Sequence, residues 1–138
     1  VPKARLAEGV ALAEARVLSG SIDSSDGLIV SAYNLLEASA TADRGVRLDR
    51  LPYSKELEDF CIKNDFDLEE LVLHGVEEYE LVVVAKKRLW QLAQEAVGKA
   101  GGRLLKVGEV ISKPGVWLQV DGGLTKAKRG GWRHFLSA

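Results

Sequence analysis

The sequence has 138 residues, no methionine and a single cysteine, Cys61. One cysteine excludes a disulfide bond within the chain, and such sparse use of cysteine is typical of a reducing compartment, so we expect a cytoplasmic protein. The chain starts at Val1 rather than at methionine. Together with the absence of methionine elsewhere, this start predicts a fragment of a longer protein.

Long apolar runs and an excess of charge of one sign are also missing. The longest aliphatic run, Leu81 to Ala85, is far shorter than the roughly 20 residues that cross a bilayer. Charged residues interrupt the first eighteen positions, which predicts that they are not a signal peptide. The formal net charge is −1, so the charge balance does not indicate nucleic acid or an anionic membrane as a partner.

What remains is an ordinary globular composition, with 46% hydrophobic and 28% charged residues. Apolar residues recur at helical spacing in five stretches, at residues 3–18, 28–40, 55–64, 68–72 and 89–96. Alternating or continuous apolar stretches predict strands at residues 46–51, 79–85, 104–111 and 116–120, of which 79–85 reads as a central strand. We therefore expect a single domain over residues 1–138 with an α/β or α+β fold, in which helices cover a mixed sheet.

Residues 21–28 are unusually polar for the start of a helix. They contain two carboxylates, three hydroxyls and one glycine, directly ahead of an apolar helical pattern. Ser25 or Asp26 could serve as the helix cap, but that interpretation leaves Asp23 without a role. The positive end of a helix attracts phosphate, which two aspartates would repel unless a divalent cation lay between them. The alternatives are thus a simple cap, or a site for Mg²⁺ together with a phosphorylated ligand.

Four segments, taken in order, resemble the motifs of a known family. They are IDSSDGL at residues 22–28, LDRLP at 48–52, GVEEYEL at 75–81 and GWRHF at 131–135. They are similar to I-D-x-S-D-G-L, L-D…L-P, G-G-E-D-Y-E-L and G-[YW]-x-H-F of thiamine-monophosphate kinase. That family belongs to the aminoimidazole-ribonucleotide-synthetase-like superfamily, whose C-terminal domain the chain resembles in fold.

The resemblance covers only that C-terminal domain. Members of the family carry an aspartate-rich N-terminal domain, which supplies most metal ligands and builds a homodimer, and the chain shows no counterpart to it. The family transfers the γ-phosphoryl group of ATP to thiamine monophosphate with the help of Mg²⁺, which produces thiamine diphosphate. The resemblance therefore implies a kinase, with the present chain inactive or nearly inactive by itself.

For the nucleotide end of the site, the resemblance implies four residues. Asp23 and Asp26 would be Mg²⁺ ligands, and Ser25 would contact the nucleotide phosphates. Gly27 would let the backbone approach the ligand closely.

For the thiamine end, the resemblance implies two further residues. Glu77 would contact the thiamine moiety, and Trp132 would lie against its cationic thiazolium ring, a suitable pairing of a carboxylate and an aromatic face with a cation. The chain departs from the family at Val76, where glycine is usual, and at Glu78, where aspartate is usual. These departures keep open a non-catalytic binding or regulatory module of the same fold, or a relative that acts on another substrate.

Other polar groups have simpler interpretations. The basic clusters at residues 86–88 and 126–129 are typical of a solvated face, although the second could also contact nucleotide phosphate. His74 lies at a predicted helix end, where a cation is favourable, and we assign it no catalytic role.

Overall fold

The computed structural model describes residues 3–75 and 80–130 of the chain. The helices of the described part are α1 (Leu6–Glu14), α2 (Leu28–Glu37), α3 (Lys55–Asn64), α4 (Leu68–His74) and α5 (Trp90–Lys99), and a short 3₁₀ turn, Lys87–Leu89, precedes α5. The strands are β1 (Leu18–Asp23), β2 (Gly45–Leu48), β3 (Leu81–Ala85), β4 (Gly108–Ile111), β5 (Gly115–Val120) and β6 (Gly123–Lys126). No helix in this part of the chain combines the length and the apolar content needed to cross a membrane.

The strands form two sheets. β1 and β3 are antiparallel, and Ile22 lies opposite Val82. The larger sheet has the order β4-β2-β5-β6, with β2 antiparallel to β4 and parallel to β5. β5 and β6 form a hairpin through Asp121 and Gly122, both at positive φ, as the Asp-Gly-Gly sequence favours. The predicted α/β or α+β fold with a mixed sheet and helices is confirmed.

Helix α2 contacts strands of both sheets and therefore joins the two halves of the described structure. Its apolar face contributes Leu28, Ile29 and Ala32 to one core cluster, where they meet side chains from β2, β5 and α4. A second cluster lies against the smaller sheet, between α1 and α5, and consists of Leu12, Val17, Ala93 and Val97. The start of α2 is therefore held firmly in place, since burial of the apolar residues just behind it stabilises the fold.

The helix predicted at the start of the chain is shorter than expected. The helix predicted over residues 3–18 ends at Glu14, and β1 begins at Leu18 after Arg16 adopts a positive φ of 54°. Burial along β1 alternates strictly between half-buried and exposed residues. The exposed positions are the polar Ser19, Ser21 and Asp23, which resemble a loop in sequence. Pairing with β3 is what makes the segment a strand.

Strand β3 differs from expectation in its neighbours. Among the described residues it pairs with β1 alone, and all five of its residues are half-buried rather than enclosed, so the prediction of a central strand was wrong. β6 was not predicted, because its four residues are all exposed and carry no apolar alternation. The predicted helices at residues 28–40, 55–64 and 89–96 correspond to α2, α3 and α5.

Candidate functional site

The candidate site is the connection from β1 to α2, residues 23–27, which we call the aspartate turn. Asp23 is the last residue of β1, and Ser24 is buried directly behind it. The Ser24 backbone N–H donates a 2.8 Å hydrogen bond to the Glu80 carbonyl, just ahead of β3. The aspartate turn is therefore anchored to the chain that enters the neighbouring strand.

Gly27 begins α2 in a conformation that requires glycine. It is the N-cap residue, with φ of 91° and ψ of 163°. A Cβ atom at this position would lie 3.0 Å from the Gly75 carbonyl oxygen and 3.1 Å from that of Leu73. The close approach that the structure shows is thus to the end of α4, and an approach of ligand to Gly27 remains a prediction.

Ser31 supports the turn from one helical turn further along. Its buried hydroxyl donates a 2.9 Å hydrogen bond to the Gly27 carbonyl oxygen and lies 3.4 Å from the Asp23 carbonyl oxygen. One side chain thus contacts both ends of the aspartate turn. Ser31 was not predicted as part of the site, although a serine four residues into an apolar helix face is the kind of signal that could have indicated it.

Among the described residues, no side chain caps α2. The N-cap residue is Gly27, and no side-chain oxygen of residues 3–75 or 80–130 accepts a capping hydrogen bond at the start of the helix. The interpretation of Ser25 or Asp26 as a simple cap was therefore wrong. The first turn also contains no acidic residue. In the part of the chain that the structure describes, no capping side chain therefore competes with an anion for the positive end of this helix.

The two carboxylates of the aspartate turn are exposed, and Ser25 is half-buried. Within residues 3–75 and 80–130, neither Asp23 nor Asp26 takes part in any of the salt bridges. Oxygen ligands suit Mg²⁺, which keeps several waters and is held by one or two carboxylates plus substrate phosphates. The donor set fits such an ion, whereas the described residues contain no group of three His, Cys, Asp or Glu that could hold a metal alone.

The residue that binds the backbone of the aspartate turn, Glu80, also forms an ion pair. Arg5, just ahead of α1, donates from Nε to Glu80 Oε2 at 2.9 Å and from Nη2 to Glu80 Oε1 at 2.6 Å. This hydrogen bonding, with the charge of Glu80, raises the pKa of Arg5. Glu80 also supplies the carbonyl that binds Ser24. Both side chains are partly exposed, so we expect the pair to contribute about 0.2–1 kcal/mol.

The remaining predicted residues fall elsewhere. Glu77 and Trp132, with Val76 and Glu78, lie outside the described residues. From the second basic cluster, Arg129 donates a 2.7 Å hydrogen bond to Asn34 and pairs with Glu37 near the end of α2. α2 has ten residues, so its two ends are about 15 Å apart. This placement favours the surface interpretation for Arg129 over contact with phosphate at the aspartate turn.

A cleft of about 460 Å³ lies elsewhere on the molecule, with Arg50, Tyr53, Trp90 and Lys106 in its lining. None of its lining residues belongs to the aspartate turn. It is therefore separate from the candidate site.

The chain is similar in sequence to known kinases. It is 31% identical over 134 residues to a thiamine-monophosphate kinase of Nitrosopumilus maritimus, an alignment that covers 97% of this chain and 41% of the relative. The chain thus spans about two fifths of the length of that relative. No protein-family model matches the chain.

Solved structures give the same result. AaThiL, solved in complex with AMPPCP and TMP, superposes with a TM-score of 0.64 at 29% identity, over 87% of this chain and 35% of that one. HypE of E. coli, a hydrogenase maturation protein, reaches a TM-score of 0.76 at 16% identity, over 95% of this chain and 41% of that one. The second likeness shows the fold alone. The fold is aminoimidazole-ribonucleotide-synthetase-like, and the predicted resemblance to thiamine-monophosphate kinase is confirmed.

Proposed function

We propose that this chain is the C-terminal part of a thiamine-monophosphate kinase and that the aspartate turn is half of its site for Mg²⁺ and ATP. The reaction moves the γ-phosphoryl group of ATP to the phosphate of thiamine monophosphate. The observation that carries the proposal is the pairing of two exposed carboxylates with a helix start that no side chain of residues 3–75 or 80–130 caps. The similarity to AaThiL, solved with the ATP analogue AMPPCP and TMP, supports the choice of substrates.

The chemistry makes modest demands on the chain. A phosphate monoester has a second pKa of about 6, so the acceptor is largely a dianion near neutral pH and its oxygen is already a nucleophile. The chain therefore needs no strong general base. The difficulty is to bring several anions together and to keep the acceptor oxygen in line with the γ-phosphorus.

The aspartate turn supplies contacts suited to that task. Asp23 and Asp26 would hold Mg²⁺, which when bound neutralises and orients the phosphates. The N–H groups at the start of α2 would donate hydrogen bonds to phosphate oxygens, and the Ser25 hydroxyl would add another donor. Anchoring by Ser24 and Ser31 fixes these donors before ligand arrives, which lowers the entropy cost of binding.

The thiamine end of the site rests on Glu77 and Trp132. We propose that the carboxylate and the indole face contact the cationic thiazolium ring. The order of the sequence segments and the similarity to thiamine-monophosphate kinases support these roles.

The site needs residues from outside the chain. The chain spans 41% of its Nitrosopumilus relative, and the aspartate turn supplies only two carboxylates. We propose that an N-terminal domain, in a homodimer, supplies the remaining ligands. We also propose a cytoplasmic location, in keeping with the single, buried and unpaired Cys61.

The test is an assay of thiamine diphosphate formation from thiamine monophosphate, ATP and Mg²⁺. The complete gene product that contains this chain should turn over, and the 138-residue chain alone should show little or no product. In the complete protein, Asp26→Asn should lower kcat about 100-fold or more, the scale of one preorganised electrostatic contact. Asp67→Asn is the matched control, because Asp67 caps α4 and asparagine caps equally well.

Each outcome bears on a different part of the proposal. An unchanged kcat in Asp26→Asn would remove Asp26 from the site, and normal turnover by the isolated chain would contradict the half-site. Calorimetry on the complete protein separates the alternative. If thiamine monophosphate and Mg²⁺–ATP bind without turnover, the protein is a binding or regulatory module.

A further inference from the structure

The cleft of about 460 Å³ lies at one end of the larger sheet. Three segments line it: residues 50–53, which follow β2, residues 104–107, which lead into β4, and the side of α5 that carries Trp90 and Gln94. Small-molecule sites usually have volumes of about 300–1,000 Å³. The cleft therefore has room for a small ligand.

One of the four sequence motifs contributes to this cleft. The segment LDRLP at residues 48–52 has no part in the aspartate turn, yet its last three residues, Arg50 to Pro52, belong to the cleft lining. The backbone N–H groups of Asp49 and Arg50 both donate to the Val107 carbonyl oxygen, at 3.1 and 3.2 Å. These hydrogen bonds join two of the lining segments to each other. The cleft is therefore preformed, which lowers the entropy cost of binding.

Two aromatic side chains belong to the lining. Tyr53 is 49% exposed, and Trp90 is half-buried at the start of α5. Aromatic side chains stack on flat rings, and such stacking strengthens binding whatever the identity of the ring. The side-chain amide of Gln94 adds a group that can both donate and accept hydrogen bonds. The lining thus favours a flat ring with polar edges over an aliphatic ligand.

The cleft also has a surplus of positive charge. Its described lining contains Arg50 and Lys106 and no acidic residue. Lys106 Nζ lies 2.5 Å from Glu109 Oε1, and Arg47 lies 3.2 Å from both Glu109 and Asp49, so these two cations and two carboxylates balance one another. Within residues 3–75 and 80–130, Arg50 takes part in none of the salt bridges. Its guanidinium is therefore available to an anionic group of a ligand.

We propose that this cleft is a second ligand site, which binds a flat aromatic ring that carries an anionic group. Arg50 would donate to that group, because its planar guanidinium can make two parallel charge-assisted hydrogen bonds. The ring of the ligand would lie against Tyr53 and Trp90. The site is independent of the proposed function, since none of its lining residues belongs to the aspartate turn. Binding should require neither Mg²⁺ nor Asp26.

The test is isothermal titration calorimetry on the complete gene product, with Mg²⁺ removed by a chelator. The probes are AMP and naphthyl phosphate, and the controls are inorganic phosphate, which lacks a ring, and adenosine, which lacks the charge. We expect AMP or naphthyl phosphate to bind about tenfold or more tightly than both controls. Binding of both aromatic phosphates would show that ring and charge suffice. Binding of AMP alone would show that the edges of the base are recognised as well, and would identify the ligand as a nucleotide.

Four variants locate the bound probe. Arg50→Ala removes the free cation, and Tyr53→Leu replaces an exposed ring by an aliphatic side chain; each should raise Kd about tenfold. Arg44→Ala removes an exposed arginine just ahead of β2, outside the cleft, and is the matched control for charge. Asp26→Asn alters the aspartate turn. Neither of these two controls should change Kd by more than about twofold.

Three results would overturn the cleft as a ligand site. In the first, neither aromatic phosphate binds, or inorganic phosphate binds as tightly as they do. In the second, Asp26→Asn weakens binding and Arg50→Ala does not, which would place the probe at the aspartate turn. In the third, Arg44→Ala weakens binding as much as Arg50→Ala, which would indicate general attraction by surface charge.

Discussion

Three helices of this protein follow turns that contain serine or aspartate, and they begin in two different ways. Ser54 Oγ accepts a 3.2 Å hydrogen bond from the Leu57 N–H at the start of α3, and Asp67 Oδ1 accepts one of 3.0 Å from Glu70 at the start of α4. α2 follows the richest of the three turns, yet glycine occupies its N-cap position and no side chain in the described part of the chain caps it.

The difference shows which polar residues the fold itself uses. At α3 and α4 the polar side chain directly precedes the first helical residue, and acidic residues fill the first turn, so the helix start is satisfied internally. At α2 the insertion of Gly27 separates Asp26 from the cap position. In the described structure the carboxylates of the aspartate turn accept no capping hydrogen bond, which leaves their oxygens available to a ligand.

The largest effect that tests this comparison is expected at Gly27. Alanine there would have to adopt a φ of 91° with its Cβ 3.0 Å from the Gly75 carbonyl oxygen. Backbone strain of this kind costs about 1–3 kcal/mol, and relief of the contact adds to it. We expect Gly27→Ala to lower the free energy of unfolding by at least that amount, measured by urea denaturation.

Gly98 provides the matched control. It lies inside α5, and a Cβ there would meet nothing within 4 Å. Gly98→Ala should therefore stabilise the protein by about 0.5–1 kcal/mol, since alanine is the better helix former. If Gly27→Ala were equally harmless, α2 would not depend on glycine at its start, and the contrast with α3 and α4 would lose its structural basis.

Gly27 also explains why the sequence could not decide between a helix cap and a ligand site for the aspartate turn. A cap and a magnesium site use the same residue types, so Ser25, Asp26 and Gly27 fit either interpretation. The deciding feature is the contact of Gly27 with Leu73 and Gly75, more than forty positions away. The motif could be recognised from local sequence, but the absence of a cap depends on tertiary packing.

The elements of the fold were predicted where the sequence signals are local, and they were missed where the structure depends on tertiary contacts. α3 was predicted with its observed bounds because apolar residues at helical spacing are a local signal. β1 was missed because Ser19 and Ser21 resemble a loop, and only pairing with β3 shows that they face outward from a strand. The hydrogen bond of His74 to Gly130 could not be predicted for a similar reason, since the two residues are 56 positions apart in sequence.

A smaller change in the free energy of unfolding should distinguish the capping residues of α3 and α4 from the aspartate turn. Asp67→Ala and Ser54→Ala each remove a side chain that accepts a backbone hydrogen bond, and each should lower the free energy of unfolding by about 1 kcal/mol. Asp26→Ala removes no such bond and should change stability by less than about 0.5 kcal/mol. Denaturation curves of the three variants decide the matter: a loss in Asp26→Ala as large as in Asp67→Ala would mean that Asp26 acts as a cap after all.

The smallest expected effect is a shift in the titration of Glu56, in the first turn of α3. Its own backbone N–H and, secondarily, the Ser54 hydroxyl stabilise the carboxylate and hold the pKa of Glu56 below its usual value. A lowered pKa means that this carboxylate supports the folded state above the usual glutamate pKa, and the support is lost as the pH falls through the lowered value. Ser54→Ala should move the pKa of Glu56 back upward, as followed by NMR of the side-chain carboxyl, whereas Asp67→Ala should leave it in place. Equal pKa values of Glu56 with and without Ser54 would show that the Ser54 hydroxyl interacts only with the backbone of α3. The electrostatic difference between the capped helices and the aspartate turn would then depend on α4 alone.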